Sequence, residues 1–179
     1  MRAVVQRVLS ASVTVNDEVV SEISRGLMVL VGIGVDDNSA DIENLAKKIL
    51  SLRVFSNPSG DMWKANVKDI QGEILCVSQF TLMANTSKGN KPDFHRAMSA
   101  DQSRTMYTSF LQFMGTQYSP EKIKDGKFGA KMNVSLTNEG PVTFTLDSRK
   151  FEYITPLIHT TSSGTVEREA VGSLKFKDT

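Results

Sequence analysis

The 179-residue sequence contains one cysteine, two histidines and one tryptophan, and these scarcities exclude several classes of protein. A single thiol, Cys76, cannot form an intramolecular disulfide, so the chain is not a disulfide-stapled scaffold, and a reducing compartment such as the cytoplasm is expected. Cys76, His95 and His159 are also too few to build a tetrahedral zinc site from cysteine and histidine alone.

Long hydrophobic runs and an excess of one charge are missing as well. The longest apolar run covers only residues 26–35, whereas a helix needs about 20 residues to span a bilayer, so no membrane association is expected. The 21 Lys+Arg and 20 Asp+Glu nearly cancel, which argues against a generic polyanion binder. Neither a Gly-x-Ser-x-Gly elbow, a His-Glu-x-x-His helix nor a Walker loop occurs.

What the sequence does contain is the pattern of an ordinary globular α+β protein. Residues 2–9, 12–16 and 19–24 are β-branched and largely alternating, which predicts antiparallel strands. Residues 27–34 are apolar almost throughout, which is typical of a central strand covered on both faces. Further strands are expected over residues 73–83, 131–138 and 142–147. Helical spacing predicts one helix capped by Ser39 and another that opens with a Ser99–Gln102 capping box.

Two segments are unusual for their predicted surroundings. Ser78-Gln79-Phe80-Thr81-Leu82 places polar groups in an apolar strand, where they act in a site or mark a strand edge that turns toward solvent. Asn138-Glu139-Gly140-Pro141-Val142-Thr143 lies between two strands. Its Gly-Pro step is ordinarily a turn, and the alternative is a cis peptide bond.

These two segments belong to a set of five ordered blocks: MRAVVQRV at 1–8, SQFTL at 78–82, GNKPDFH at 89–95, DGKFGAKM at 125–132 and NEGPVT at 138–143. Together the blocks closely resemble the D-aminoacyl-tRNA deacylases of the DTD type. The resemblance runs from residue 1 to about 147. It therefore predicts a deacylase domain over residues 1–148 and a C-terminal extension of unknown role over residues 149–179.

The resemblance implies hydrolysis of the ester that joins a D-amino acid, or mischarged glycine, to the 3′ end of tRNA. This activity is chiral proofreading, a form of translation quality control. A homodimer is implied, with a mainly antiparallel β-barrel-like core, flanking helices, an active site at the subunit interface, and neither metal nor organic cofactor. A second hypothesis stays open: a nucleic-acid or replication-associated binding module whose C-terminal tail binds a partner protein.

The resemblance also assigns the site residues. Ser78, Gln79, Phe80 and Thr81 line the pocket, and the backbone N–H groups near Phe80 and Thr81 are the catalytic oxyanion donors. Thr81 remains an alternative nucleophile, although the sequence offers no activating base. In the family account, the 2′-hydroxyl of the terminal ribose assists instead.

Selectivity is assigned to Gly140 and Pro141, which enter the partner's pocket as a chiral filter that excludes an L side chain. Arg7 and Met132 match positions that fix this element. Local basic residues are expected to hold the tRNA: Lys88, Lys91 and Arg96. Two positions depart from the family pattern, which commonly has Asp where this chain has Glu139 and Ala where it has Ser103.

Overall fold

The computed structural model describes residues 1–87 and 89–149, so the predicted C-terminal extension lies almost entirely outside the described residues. Within them the chain forms six strands and two α-helices. The elements are β1 (Arg2–Val15), β2 (Glu18–Ile23), β3 (Gly26–Gly32), α1 (Ser39–Ser51), β4 (Glu73–Ser78), α2 (Ala100–Gln117), β5 (Ile123–Asp125) and β6 (Asn133–Asp147), with 3₁₀ turns at Phe80–Met83 and Pro120–Lys122. No helix in this part of the chain has the length and apolar character needed to cross a membrane.

A single mixed sheet contains all six strands. Its order is β2-β1-β3-β4-β5, and β6 pairs along the other edge of β1. The pairs made by β1 are antiparallel, whereas β3–β4 and β4–β5 are parallel. Because β1 is long, its first half pairs with β3 and its second half with β2, and the sheet curls into a nearly closed barrel. The predicted α+β fold with a barrel-like core and flanking helices is confirmed.

The two faces of the central strands are buried in separate clusters. Leu27, Val29 and Val31 of β3 pack with α1 and α2 in one cluster. Met28 points the other way, into a cluster within the barrel. Side chains of successive strand residues alternate between faces, so burial on both sides explains why this strand is apolar without interruption. The prediction of a central, doubly covered strand is therefore correct.

Strand boundaries differ from the sequence prediction at both ends of the sheet. The two strands predicted over residues 2–9 and 12–16 form one strand, β1, which ends at Val15. Those predicted over residues 131–138 and 142–147 form one strand, β6, which begins at Asn133. The register explains the second case. Gln6 pairs with Thr143 and Val8 pairs with Asn138, so residues 139–142 bulge out opposite Arg7 alone. The Gly-Pro step therefore sits in a wide bulge within a continuous strand.

Both helices exist as predicted, but their N-termini are capped differently. Asn38, not Ser39, caps α1, and it forms a reciprocal capping box with Asp41. Ser99 does precede α2, yet its hydroxyl bonds the side chain of Gln102 at 2.8 Å and makes no bond to the helix backbone. A side chain that satisfies another side chain leaves the first N–H groups of the helix uncapped.

Candidate active site

The polar segment that follows β4 forms a turn, not a continuation of the strand. Gln79 N donates to Val31 O at 2.7 Å, which is the last bond of the β3–β4 ladder. The chain then folds into the 3₁₀ turn Phe80–Met83, with Leu82 N bonded to Gln79 O. The prediction of a strand over residues 73–83 is thus wrong beyond Ser78. The reason is that β3 ends at Gly32 and offers no further ladder partner.

Gly32 lets this turn lie directly against the end of β3. A Cβ built on Gly32 would lie 2.8 Å from the Cβ of Leu82 and 3.1 Å from the carbonyl oxygen of Gln79. Any larger residue would displace the turn, because both of these atoms are close to the backbone and cannot rotate away. A glycine at the end of an apolar strand therefore positions the segment that resemblance assigns to the site.

The turn presents two unpaired backbone donors. Within residues 1–87 and 89–149, the N–H groups of Phe80 and Thr81 have no hydrogen-bond partner, as expected for the first residues of a helical turn. The Thr81 hydroxyl accepts a hydrogen bond from the amide of Gln79 at 2.5 Å. The Phe80 ring is 57% exposed and packs edge-on against Phe94, with ring centroids 5.1 Å apart.

A cavity of about 450 Å³ opens beside this turn. Ser78, Gln79 and Phe80 form one wall, and residues 128–130 with Met132 form another. Thr81, which the resemblance also assigns to the pocket wall, is not a lining residue. The start of α2 closes the third side with Ser103. All the lining residues are uncharged, and most of the exposed lining is apolar. A pocket of this size suits a small ligand with a neutral body that polar groups orient at a few points.

Two groups on β4 and β5, Cys76 and Asp125, have pKa values that burial raises. Burial raises the pKa of the Cys76 thiol, and the side chain is inaccessible, so this residue is not a nucleophile. The Tyr107 hydroxyl donates to Asp125 at 2.6 Å. Burial raises the pKa of Asp125, and the bond from Tyr107 partly opposes this rise. Tyr107 and Asp125 thereby tie α2 to β5.

The second resemblance-based element, Gly140-Pro141, lies elsewhere on the surface. Its peptide bond is cis, in agreement with the second of the two sequence interpretations. Both residues are exposed, and neither lines the cavity. Gly140 has φ of +128°, and a Cβ there would lie 2.8 Å from the Val142 side chain and 3.1 Å from the Arg7 guanidinium. Only glycine suits this position.

Arg7 anchors the bulge from β1. Its Nε donates to Glu139 O at 3.1 Å and lies 3.3 Å from the Glu139 carboxylate, and its Nη1 donates to Val54 O at 2.5 Å. Asn138 closes the bulge through bonds to Val142 N and Thr143 Oγ1, each at 2.9 Å.

Met132 does not join this group: it lines the cavity, where its sulfur accepts a bond from Lys127 N at 3.3 Å. Within one chain, Met132 thus lies with Ser78, Gln79 and Phe80, while Arg7 lies with Gly140 and Pro141.

The basic residues proposed to hold tRNA are only partly placed. Lys88 lies outside the described residues, and Lys91 and Arg96 are exposed. Arg96 lines a second, polar cavity of about 840 Å³ together with Arg2 and Asn85. No sequence pattern predicts this cavity, because it joins the N-terminus to segments distant in the chain. Among the described residues, no three His, Cys, Asp or Glu side chains group in a way that would hold a metal ion.

Two solved structures share the barrel-like fold of this chain. The chain is similar to a solved structure described as a probable eukaryotic D-amino acid tRNA deacylase, with a TM-score of 0.70 and 21% identity, over 82% of this chain and 98% of the other. It is also similar to a solved structure described as c-Myc DNA Unwinding Element Binding Protein, with a TM-score of 0.80 and 54% identity over the same shares.

Sequence comparison defines the family more closely. The family model for D-Tyr-tRNA(Tyr) deacylase matches residues 4–147. The D-aminoacyl-tRNA deacylase of Saccharomyces cerevisiae is 53% identical over 83% of this chain and 99% of its own length. D-aminoacyl-tRNA deacylase 1 of Homo sapiens is 55% identical over 83% of this chain and 70% of its own. The chain therefore belongs to the D-Tyr-tRNA(Tyr) deacylase family, and the resemblance inferred from the five sequence blocks is confirmed.

Proposed function

We propose that this chain hydrolyses the ester bond of D-aminoacyl-tRNA and releases free D-amino acid and tRNA. The unpaired N–H groups of Phe80 and Thr81 beside a neutral cavity carry this proposal. Ester hydrolysis passes through a tetrahedral oxyanion, and N–H donors already fixed in place stabilise its negative charge. Because charged tRNA is used in translation, the proposed compartment is the cytoplasm.

The attacking group in this proposal is water, and no side chain acts as a covalent nucleophile. The described partner of the Thr81 hydroxyl is the amide of Gln79, which cannot take a proton from it. The buried Cys76 is excluded by its raised pKa. In this proposal the 2′-hydroxyl of the terminal ribose assists the attack of water on the ester. We expect Thr81→Ala to keep substantial single-turnover activity, and a complete loss with the fold intact would restore the nucleophile hypothesis.

Selectivity for D-amino acids is proposed to come from Gly140 and Pro141 of a second copy of the chain. Two observations support this: both residues are exposed on an anchored bulge, and neither lines the cavity of its own chain. A homodimer would place the bulge of one subunit in the pocket of the other. A carbonyl oxygen there would bind the substrate amino group, and the bulge would clash with an L side chain. Glycine has no side chain to exclude, so glycyl-tRNA is also a proposed substrate.

The decisive test of activity compares hydrolysis of D-Tyr-tRNA, L-Tyr-tRNA and Gly-tRNA by the purified full chain. We expect release from the D-tyrosyl and glycyl esters and protection of the L-tyrosyl ester. Absence of D-selective release would refute the proposed reaction.

Subunit mixing tests whether the filter acts across subunits. One variant, Pro141→Ala, has an altered bulge and an intact pocket. The other, Ser103→Trp, keeps the bulge but fills the cavity. If the filter acts across subunits, an excess of the second variant restores L-Tyr-tRNA rejection to the working pocket of the first. If L-Tyr-tRNA hydrolysis does not change on mixing, although heterodimers form, the cross-subunit filter is refuted.

A second candidate function is binding of duplex DNA, favoured by the description of one solved relative as a DNA unwinding element binding protein. In this hypothesis the segment from residue 150 onward serves as a docking tail for a partner protein. The balanced charge of the sequence favours the enzyme over this alternative. Binding of the full chain to duplex DNA, without ester hydrolysis and with a steep salt dependence, would support the second function over the first.

A further inference from the structure

Several segments that line the neutral cavity carry exposed basic residues next to their lining positions. Every segment of its lining on the far side from the 3₁₀ turn is flanked in sequence by an exposed basic residue: Arg96, Arg104, Lys127 and Lys131. Among residues 1–87 and 89–149, none of these four forms a salt bridge. Asp101 is the one carboxylate next to a lining residue in that part of the chain. Four basic residues and one acidic residue thus flank the lining positions of these segments in sequence, although the whole chain carries a formal charge of +1.

Arg104 is the member of this set that the structure holds most firmly at the cavity. Its guanidinium lies over the ring of Phe128, a lining residue, with 4.6 Å from Cζ to the ring centroid. Tyr107, one turn further along α2, contacts the same ring with centroids 5.7 Å apart. Positions three apart share one helix face, so Arg104 and Tyr107 of α2 both contact the Phe128 ring. Tyr107 is in turn buried and bonded to Asp125.

A stacked guanidinium is well suited to bind phosphate. Stacking on an aromatic ring uses the face of the guanidinium and leaves its N–H edge free for paired hydrogen bonds. Lysines such as Lys127 and Lys131 add positive charge without fixed geometry. An uncharged cavity whose lining is flanked by basic residues suits a ligand that has a neutral end and a chain of phosphates extending from it.

We infer that Arg104, supported by Arg96, Lys127 and Lys131, binds the phosphates of the 3′-terminal single-stranded nucleotides of the RNA whose aminoacylated end occupies the cavity. This inference rests on the proposed deacylase function and adds the residues that recognise the RNA. It also accounts for RNA binding by a chain with almost no net charge, because the positive charge is concentrated where the backbone of a single strand would pass.

The test compares two substrates that share the ester but differ in phosphate. One is D-Tyr-tRNA, and the other is the D-tyrosyl ester of adenosine, which carries no phosphate. We expect Arg104→Ala to lower kcat/KM for the tRNA about tenfold, mainly through KM, relative to the adenosine ester. The slope of log kcat/KM against log salt concentration for the tRNA should become shallower by about 0.7. Arg104→Lys should recover part of the loss, and Arg104→Glu should deepen it.

A matched control is Lys47→Gln on α1. Lys47 also lies over an aromatic ring, with 5.8 Å from its Nζ to the Phe113 centroid, and its loss changes the net charge equally. It is paired with Glu43 and does not line the cavity. We expect no change with either substrate, and urea unfolding of both variants verifies that they are folded.

The outcomes separate this inference from the proposed function. If the wild-type chain hydrolyses neither ester, the deacylase function fails, and the inference fails with it. If wild type hydrolyses both esters and Arg104→Ala lowers both equally, Arg104 shapes the cavity and does not bind phosphate, so only the inference is refuted. An equal loss for Lys47→Gln on the tRNA would refute it as well, because overall charge would then explain the effect.

Discussion

Arg7 connects the stability of the barrel to the exposed bulge at Gly140, which makes it a sensitive position for substitution. Its side chain is only 15% exposed, and it reaches two main-chain carbonyls, of Val54 and Glu139, as well as the Glu139 carboxylate. Gln6 and Val8, on either side of Arg7, both pair with β6, so Arg7 is the β1 residue opposite the bulge. Substitution therefore acts on the bulge without removing a strand pair.

The expected cost follows from these contacts. Hydrogen bonds from a charged donor contribute about 1.5–3 kcal/mol each. Removing Arg7 takes this donor from the carbonyls of Val54 and Glu139 and leaves the Glu139 carboxylate with Arg25 as its remaining described cationic partner. We expect Arg7→Ala to lower the free energy of unfolding by about 2–4 kcal/mol. Arg7→Lys keeps the charge, but one ammonium group cannot reach both carbonyls, so a loss of about 1–2 kcal/mol is expected.

Arg25 provides the matched control because it contacts the same carboxylate from solvent. Its Nη2 lies 3.1 Å from Glu139, and its side chain is 51% exposed. It also lies over the Phe55 ring, with 5.6 Å from Cζ to the centroid. Exposed ion pairs contribute about 0.2–1 kcal/mol, so we expect Arg25→Ala to cost about 1 kcal/mol or less.

Two measurements on the same samples test the reasoning. Urea unfolding gives the free energy, and single-turnover hydrolysis of D-Tyr-tRNA and L-Tyr-tRNA gives selectivity. We expect Arg7→Lys to weaken rejection of the L-ester because the bulge loses one of its anchors, while Arg25→Ala retains it. An equal loss of stability for Arg7→Ala and Arg25→Ala would refute the energetic argument. Unchanged selectivity in a folded, destabilised Arg7→Lys variant would refute the link to the bulge.

Three further changes probe the cavity floor, the acid stability and the turn. Tyr107→Phe removes the 2.6 Å hydrogen bond to the Asp125 carboxylate, so we expect the free energy of unfolding in urea at neutral pH to fall by about 1–3 kcal/mol. For Asp41, burial opposes ionisation, but hydrogen bonds, notably from Arg149, outweigh it and lower the pKa. The ionised Asp41 carboxylate therefore stabilises the folded chain above about pH 4, and this stabilisation is lost as the pH falls below that value. We expect the urea midpoint of Asp41→Asn to fall less between pH 7 and pH 3 than the midpoint of the wild type. Gly32→Ala would place a Cβ 2.8 Å from a Cβ of the 3₁₀ turn, so we expect kcat/KM for D-Tyr-tRNA to fall about tenfold or more.

Each of these changes has a control of the same chemical kind. Tyr118→Phe removes a neutral bond to Gly72 O and should cost less than Tyr107→Phe, about 0.5–1.5 kcal/mol. Asp17→Asn removes an exposed turn carboxylate that forms no salt bridge among the described residues, so it controls for the same change in net charge. Gly115→Ala would place a Cβ 3.3 Å from the Cα of Pro120, which lies outside the 3₁₀ turn at Phe80–Met83, and this change should leave the activity unaltered. A reversed order within any of these pairs contradicts the corresponding argument.

The elements that the sequence predicted best are those that periodicity determines locally. The continuous apolar run of β3 requires burial on two faces, and the structure supplies both clusters. The apolar spacing of α1 and α2 likewise depends only on residues three or four apart. These features need no knowledge of which strands pair, so composition and spacing were sufficient.

The errors concern features that depend on register between distant segments. The bulge at residues 139–142 exists because Gln6 and Val8 pair with positions five residues apart on β6. The local sequence of β6 does not indicate which residues of β1 it pairs with. Similarly, the strand predicted beyond Ser78 ends because β3 ends at Gly32, so the information lies in another segment of the chain. The grouping of Met132 with Ser78 and of Arg7 with Gly140 also follows only from the three-dimensional arrangement.

The separation of these two groups within one chain has a consequence for how the proposed enzyme tolerates change. The proposed oxyanion donors belong to a turn positioned by Gly32, whereas the proposed filter belongs to a bulge anchored by Arg7, and the two share no described contact residue. Substitutions distant from each other and without shared partners act nearly additively. We therefore expect changes at the turn to lower hydrolysis of every ester in proportion, and changes at the bulge to alter the ratio between D- and L-esters. Catalysis and selectivity for D-esters would then be separable properties of one site, which is built from different parts of two identical chains.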